Sequence, residues 1–136
     1  MSCYRKANFF VMRYTLLCFT LLLFAFTCSN DDYDLVAIKE QRMAEISANV
    51  EAVVANKSCN GADDCASIAW GSKPCGGPWS YLVYAPGNVN VTQLEQLVSE
   101  YNQLQAEVNQ LNGAVSDCAF VTKPELECLD DICVAK

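Results

Sequence analysis

Six cysteines carry the chemistry most easily read from this chain: Cys59, Cys65, Cys75, Cys118, Cys128 and Cys133. Their spacings are C-x5-C, C-x9-C, a long gap, then C-x9-C and C-x4-C. None has the close C-x2-C pairing of a zinc ribbon or a thioredoxin-like redox pair, so disulfides are the expected use of these sulfurs. The chain has no histidine. That removes the commonest general base and metal ligand, and with them Ser-His-Asp and Cys-His catalysis. Asp63-Asp64 and Asp130-Asp131 offer carboxylate oxygens, but no D-x-D-x-D-G calcium loop surrounds them, and acid pairs at turns are ordinarily solvated. A glycosidase pair would need one carboxyl raised in a cleft, and nothing in the sequence builds one. Gly71-Ser72-Lys73 lacks the frame of a phosphate loop and reads as a turn. Ser72 beside Lys73 is the remaining nucleophile-and-base pair an enzyme would use. No catalytic residue, cofactor or metal site is expected.

A seventh cysteine stands apart. Arg5, Lys6 and Arg13 precede the uncharged run Leu16–Phe26, and Cys28 closes that run ahead of Ser29-Asn30-Asp31-Asp32-Tyr33-Asp34. The layout resembles a bacterial lipoprotein signal, in which the cysteine becomes the acylated first residue of the mature chain. The resemblance implies removal of residues 1–27 and lipidation, including palmitate, at Cys28. Phe26 and Thr27 depart from the usual pattern. The alternative is an ordinary secretory signal cut after Thr27. Parity favours lipidation, because counting from Cys28 the chain holds seven cysteines, and seven cannot all pair. Spanning a hydrocarbon core takes about 20 apolar residues, and Arg13 interrupts this run first. Met12 offers a second start for a more compact leader. Residues 31–34 are similar to the short acidic tag on some outer-membrane lipoproteins of the Bacteroidota, and residues 28–34 are read as an acidic tether.

Removing the leader leaves one small domain at residues 35–136. Three of the nine Lys and Arg lie in the leader, which leaves six against 16 Asp and Glu, a net charge near −10. Such a surface repels phosphate backbones, so no nucleic-acid partner is expected. Asn56-Lys57-Ser58 and Asn90-Val91-Thr92 are glycosylation sequons, which matter only in a eukaryotic source.

The elements that must position the cysteines follow from periodicity. Residues 34–56 lack Gly and Pro and place Val36, Met43, Ile46, Val50 and Val53 at helical spacing. Ala66–Trp70 and Trp79–Tyr84 read as strands around the turn-rich segment 71–78. Thr92 and Glu95 suggest a capping box for a long helix bearing Leu94, Leu97, Tyr101, Leu104, Val108 and Leu111, ended by Asn112-Gly113. That stripe also fits a heptad seam, so a helix-mediated dimer is the alternative to a monomer whose helix covers its own sheet. Residues 127–134 read as a hairpin with an Asp-Asp turn, which sets Cys128 opposite Cys133. Six cysteines allow 15 pairings. Cys75 with Cys118 is the preferred pair, and the two end clusters are left to pair mutually or locally. The expected fold is a disulfide-stabilised α+β domain, two helices packed on a short antiparallel sheet.

Cys75-Gly76-Gly77-Pro78 and the Tyr81-x-x-Tyr84 strand, with Asp63-Asp64-Cys65 before and Ser116-Asp117-Cys118 after, resemble a group of small bacterial envelope proteins. The resemblance brings no activity. Trp79, Tyr81 and Tyr84 could form an aromatic contact surface, although in a small domain such residues more often fill the core. The sequence therefore points to a non-enzymatic lipoprotein of binding or structural role. It would be anchored to the cell envelope, at the outer membrane's surface or periplasmic face, with a protein or envelope polymer as partner. The alternative is a secreted-type hydrolase inhibitor that presents residues 71–78.

Overall fold

A computed structural model describes residues 31–136; the leader and Cys28 lie outside the described residues. The first helix, α1, spans Asp31–Val53. It starts inside the expected tether, so residues 31–34 form its first turn. Ile46, Val50 and, just past the last turn, Val54 are buried, with Val53 packed beside them. No helix among the described residues is long and apolar enough to cross a membrane.

Strands β1 (Ala66–Trp70) and β2 (Ser80–Tyr84) pair antiparallel, with Ala66 opposite Tyr84, Ile68 opposite Leu82 and Trp70 opposite Ser80. Side chains alternate across a strand, which sends Ala66, Ile68, Trp70, Leu82 and Tyr84 into the core shared with the helices. Val83, on the other face, packs against the cysteine cluster.

Helix α2 (Val91–Leu111) contributes buried Leu94, Val98 and Val108. Leu97, Tyr101 and Leu104 pack against the same core, so the apolar stripe covers the chain's own hairpin. Tyr101 stacks on Trp70 with ring centroids 3.8 Å apart. The expected capping box is displaced: Asn90, not Thr92, is the N-cap, and its side chain accepts the Gln93 N–H at 3.1 Å. Asn is the stronger N-cap residue of the two and stands two residues earlier. The other end is as expected. Gly113 takes a left-handed φ of 57°, its N–H donates to the Gln110 carbonyl and that of Ala114 to Asn109, the paired bonds of a Schellman motif. Lys39 pairs with Glu107 at 2.6 Å and Arg42 with Glu100 at 2.8 Å, which sets α1 antiparallel to α2.

Strands β3 (Leu126–Leu129) and β4 (Ile132–Ala135) form a second hairpin about Asp130 and Asp131, both at positive φ as a type I′ turn requires. The architecture is α+β with three disulfides, and the strands divide into two separate two-stranded sheets. Cys128 does face Cys133 across β3 and β4. Neither bonds the other: Cys59 joins Cys128, Cys65 joins Cys133, and Cys75 joins Cys118. The end clusters thus pair mutually, and with Ala85 they make a second small core.

Leu94 is wholly buried where α1, α2 and the first hairpin meet. Truncation there leaves a cavity, so Leu94→Ala should lower unfolding free energy by about 2–5 kcal/mol in urea titration. A loss of a few tenths would place the core elsewhere.

Candidate functional site

The most elaborated surface feature is the segment joining β1 to β2, residues 71–79. Three amides on one face of α2 hold its backbone. Gly71 N–H donates to Asn102 Oδ1 and Ser72 N–H to Gln105 Oε1, each at 2.6 Å. Asn102 Nδ2 donates to the Ala69 carbonyl at 3.2 Å and Asn109 Nδ2 to that of Ser72 at 2.7 Å. Positions 102, 105 and 109 follow the helical three-four spacing, so one stripe of the helix serves the whole attachment. Gly71 lies at φ 81°, and a Cβ there would stand 2.8 Å from Gln105 Oε1 and 2.9 Å from Trp79 Cδ1. Only glycine fits.

Lys73 is the one buried charged residue among those described, 6 % exposed. Its ammonium donates to the Ala119 carbonyl at 2.8 Å and to Asp117 Oδ1 at 3.4 Å, and sits 5.0 Å from the centre of the Trp79 ring. The arrangement answers the cost of burying a cation with a carbonyl, a carboxylate and a π face. The Ala119 N–H, then the Lys73 ammonium, hold the Asp117 carboxyl below the usual aspartate range. The Cys75–Cys118 disulfide adds a covalent link between the same two segments. Lys73, Pro74, Asn109, Gln110 and Gly113 line a hollow of about 290 Å³ beside this clamp.

Within this frame the residues singled out from sequence separate. Trp79 is 45 % exposed and Tyr81 half-buried, but Tyr84 is only 7 % exposed and belongs to the core, so it cannot join them in a contact surface. Tyr84 lies an odd number of positions from Tyr81, which puts them on opposite faces of β2. The tip, Cys75-Gly76-Gly77, is exposed and folds back through bonds from Gly76 N–H to the Lys73 carbonyl and from Lys73 N–H to that of Gly77. Gly76 and Gly77 both lie at positive φ, so the tip is a tight turn with no side chain to fill a specificity pocket. The Lys73 ammonium is engaged by Ala119 and Asp117, and no hydrogen bond joins it to Ser72 Oγ among the described residues.

The acids are dispersed. Asp64 accepts from the backbone and side chain of Asn60, which lower its carboxyl. Arg42 does the same to Glu100, and Lys39 with Gln103 to Glu107. Among the described residues every carboxyl that shifts does so downward, the opposite of what a general acid at neutral pH needs. The Cys59, Cys65 and Cys133 sulfurs lie within 4.8 Å of one another, but each is bonded in a disulfide, and a metal ligand must be a thiolate. Sequence reasoning missed the buried Lys73 and the amide stripe. The stripe had a signal, three amides at helical spacing beside the apolar one. No family model, curated protein or solved structure matches this chain.

Two outcomes test the clamp. Gly71→Ala must both adopt a left-handed φ and displace Gln105 and Trp79, whereas Gly77→Ala, in open space, carries backbone strain alone. Thermal unfolding should show the first variant losing clearly more than the roughly 1–2 kcal/mol expected of the second; equal losses would mean the clamp is not tight. The depressed Asp117 pKa adds stability that is complete above the ordinary aspartate pKa of about 4 and is lost as pH falls through the lower folded value. Asp117→Asn should therefore flatten the acid limb of a melting-temperature profile, and an unchanged limb would contradict the assignment.

Proposed function

We propose that this chain is an exported lipoprotein of the cell envelope, held by acyl chains on Cys28, whose domain has a non-enzymatic binding or structural role. One observation carries the reading. All six cysteines of the domain pair with one another, which leaves none of them to bond Cys28. A cysteine at the end of an apolar leader, with no such partner, is suited to thioether lipidation. Three disulfides in so small a domain also accord with an oxidising compartment outside the cytoplasm. Multiple acyl chains, at ~0.8 kcal/mol per buried CH₂, give anchorage that a single chain does not.

The non-enzymatic part draws on the spent chemistry of the site. Lys73 is committed to the clamp, the shifted carboxyls among the described residues are all lowered, and Trp79 with half-buried Tyr81 gives the loop an aromatic flank. A rigid loop with an exposed aromatic flank suits contact with a protein or an envelope polymer. The outer membrane is the proposed address, from the acidic residues after Cys28. An inhibitory role would draw on the loop's rigidity but not on its glycine tip, and is the weaker reading.

Membrane fractionation with intact mass tests this. The native protein should sediment with membranes, at the mass of residues 28–136 less six hydrogens plus an acylated glyceride, and Cys28→Ser should abolish both the modification and the sedimentation. Native protein in the soluble fraction at the mass of the unmodified chain would overturn it.

A further inference from the structure

Five of the nine exposed large apolar side chains among the described residues belong to the facing ends of α1 and α2; the other four, Trp79, Phe120, Leu129 and Ile132, belong to other segments. Tyr33, Leu35 and Ile38 lie in the first turns of α1, and Ile38 is 65 % exposed. Leu111 closes α2, and Val115, 90 % exposed, follows it. The Lys39–Glu107 and Arg42–Glu100 pairs make the helices antiparallel, so these residues share one end of the domain. Tyr33 and Leu111 line a common hollow of about 280 Å³ with Val36 and Asn112. Away from that end, past the C-terminus of α1, Ser58 bridges to Ile132 of the second hairpin.

We infer that this end of the domain docks on the lipid bilayer, with Tyr33, Leu35, Ile38 and Leu111 entering the boundary between headgroups and acyl chains. The inference rests on the anchor at Cys28. It goes further in stating that the domain lies against the membrane instead of standing off it. The occupant follows from chain length. Helix α1 starts at Asp31, three residues after Cys28, and an extended chain covers at most about 3.6 Å per residue, so the anchor holds the first helical turn within about 11 Å. Interfacial apolar faces bury roughly 5–10 Å into the headgroup boundary, a depth this tether permits, and Tyr is at home there. A tether this short leaves little room for a protein partner between that end and the lipid. The acids at 31, 32 and 34 oppose an anionic surface, so the bilayer that fits is zwitterionic.

The test uses full-length lipoprotein extracted from membranes and reconstituted in phosphatidylcholine vesicles whose acyl chains are brominated near the headgroup. Ile38→Trp places an indole at the proposed contact, on an exposed position where substitution does not disturb the core. Asn49→Trp places one about 16 Å further along the same helix. Emission of the Ile38→Trp protein should fall on passing from plain to brominated vesicles by more than that of the wild type, which carries Trp70 and Trp79. Asn49→Trp should show no excess loss. Two results would overturn the inference while leaving the anchor intact: no excess loss from Ile38→Trp in protein that floats with vesicles and carries acyl mass, or cross-linking of two copies through that position. Protein that neither floats nor carries acyl mass would remove the anchor and the docking together.

Discussion

The domain depends on two disulfides that lie side by side and join the segment after α1 to the second hairpin. Cys59–Cys128 and Cys65–Cys133 close long loops that take in the first hairpin and α2, with sequence separations of 69 and 68. In the chain-entropy account the first such link removes about 4 kcal/mol of unfolded-state freedom. The second then closes only a ring of about a dozen residues and contributes about 3 kcal/mol more. These contributions matter because the apolar core is small. Six residues, Ile46, Val50, Val54, Tyr84, Leu94 and Val98, form its buried centre, fewer than an unstapled domain of this length would ordinarily need.

The disulfides also set the order of layers. Both helices pack on one face of the first hairpin, through Leu82 and Tyr84, while Val83 on the other face meets the sulfur cluster that holds the second hairpin. The third disulfide works differently. It joins the two surface segments already drawn together by Lys73, so covalent link, buried cation and amide stripe act on the same loop. That concentration of constraints on a nine-residue segment holds the loop and its exposed Trp79 in one conformation.

Much of this was legible in the sequence, and the rest has identifiable causes. The α2 stripe, its Asn112-Gly113 end and the Asp130-Asp131 turn follow from local pattern, because each rests on neighbouring residues, whereas the Cys75–Cys118 pair, 43 residues apart, stood only as a preference among 15 pairings. The N-cap was misplaced because Thr92-x-x-Glu95 satisfies the same pattern as Asn90-x-x-Gln93, and Asn outranks Thr at an N-cap. The division of strands into two sheets is a tertiary fact with no local mark. Lys73 was opaque for the same reason: the groups that satisfy its charge, Asp117 and Ala119, stand 44 and 46 residues away in an irregular segment. Tyr84 could have been separated from Trp79 and Tyr81 by strand alternation alone.

The central claim is that the domain's six sulfurs are closed among themselves, so that the cysteine at the leader junction is left for lipid. A peptide map of the membrane-extracted protein, digested without reduction and read by mass spectrometry, tests it directly. The account predicts linked peptides for 59 with 128, 65 with 133 and 75 with 118, and an N-terminal peptide in which Cys28 carries a thioether. A disulfide between Cys28 and any of the six, or an alkylatable thiol among them, would contradict it.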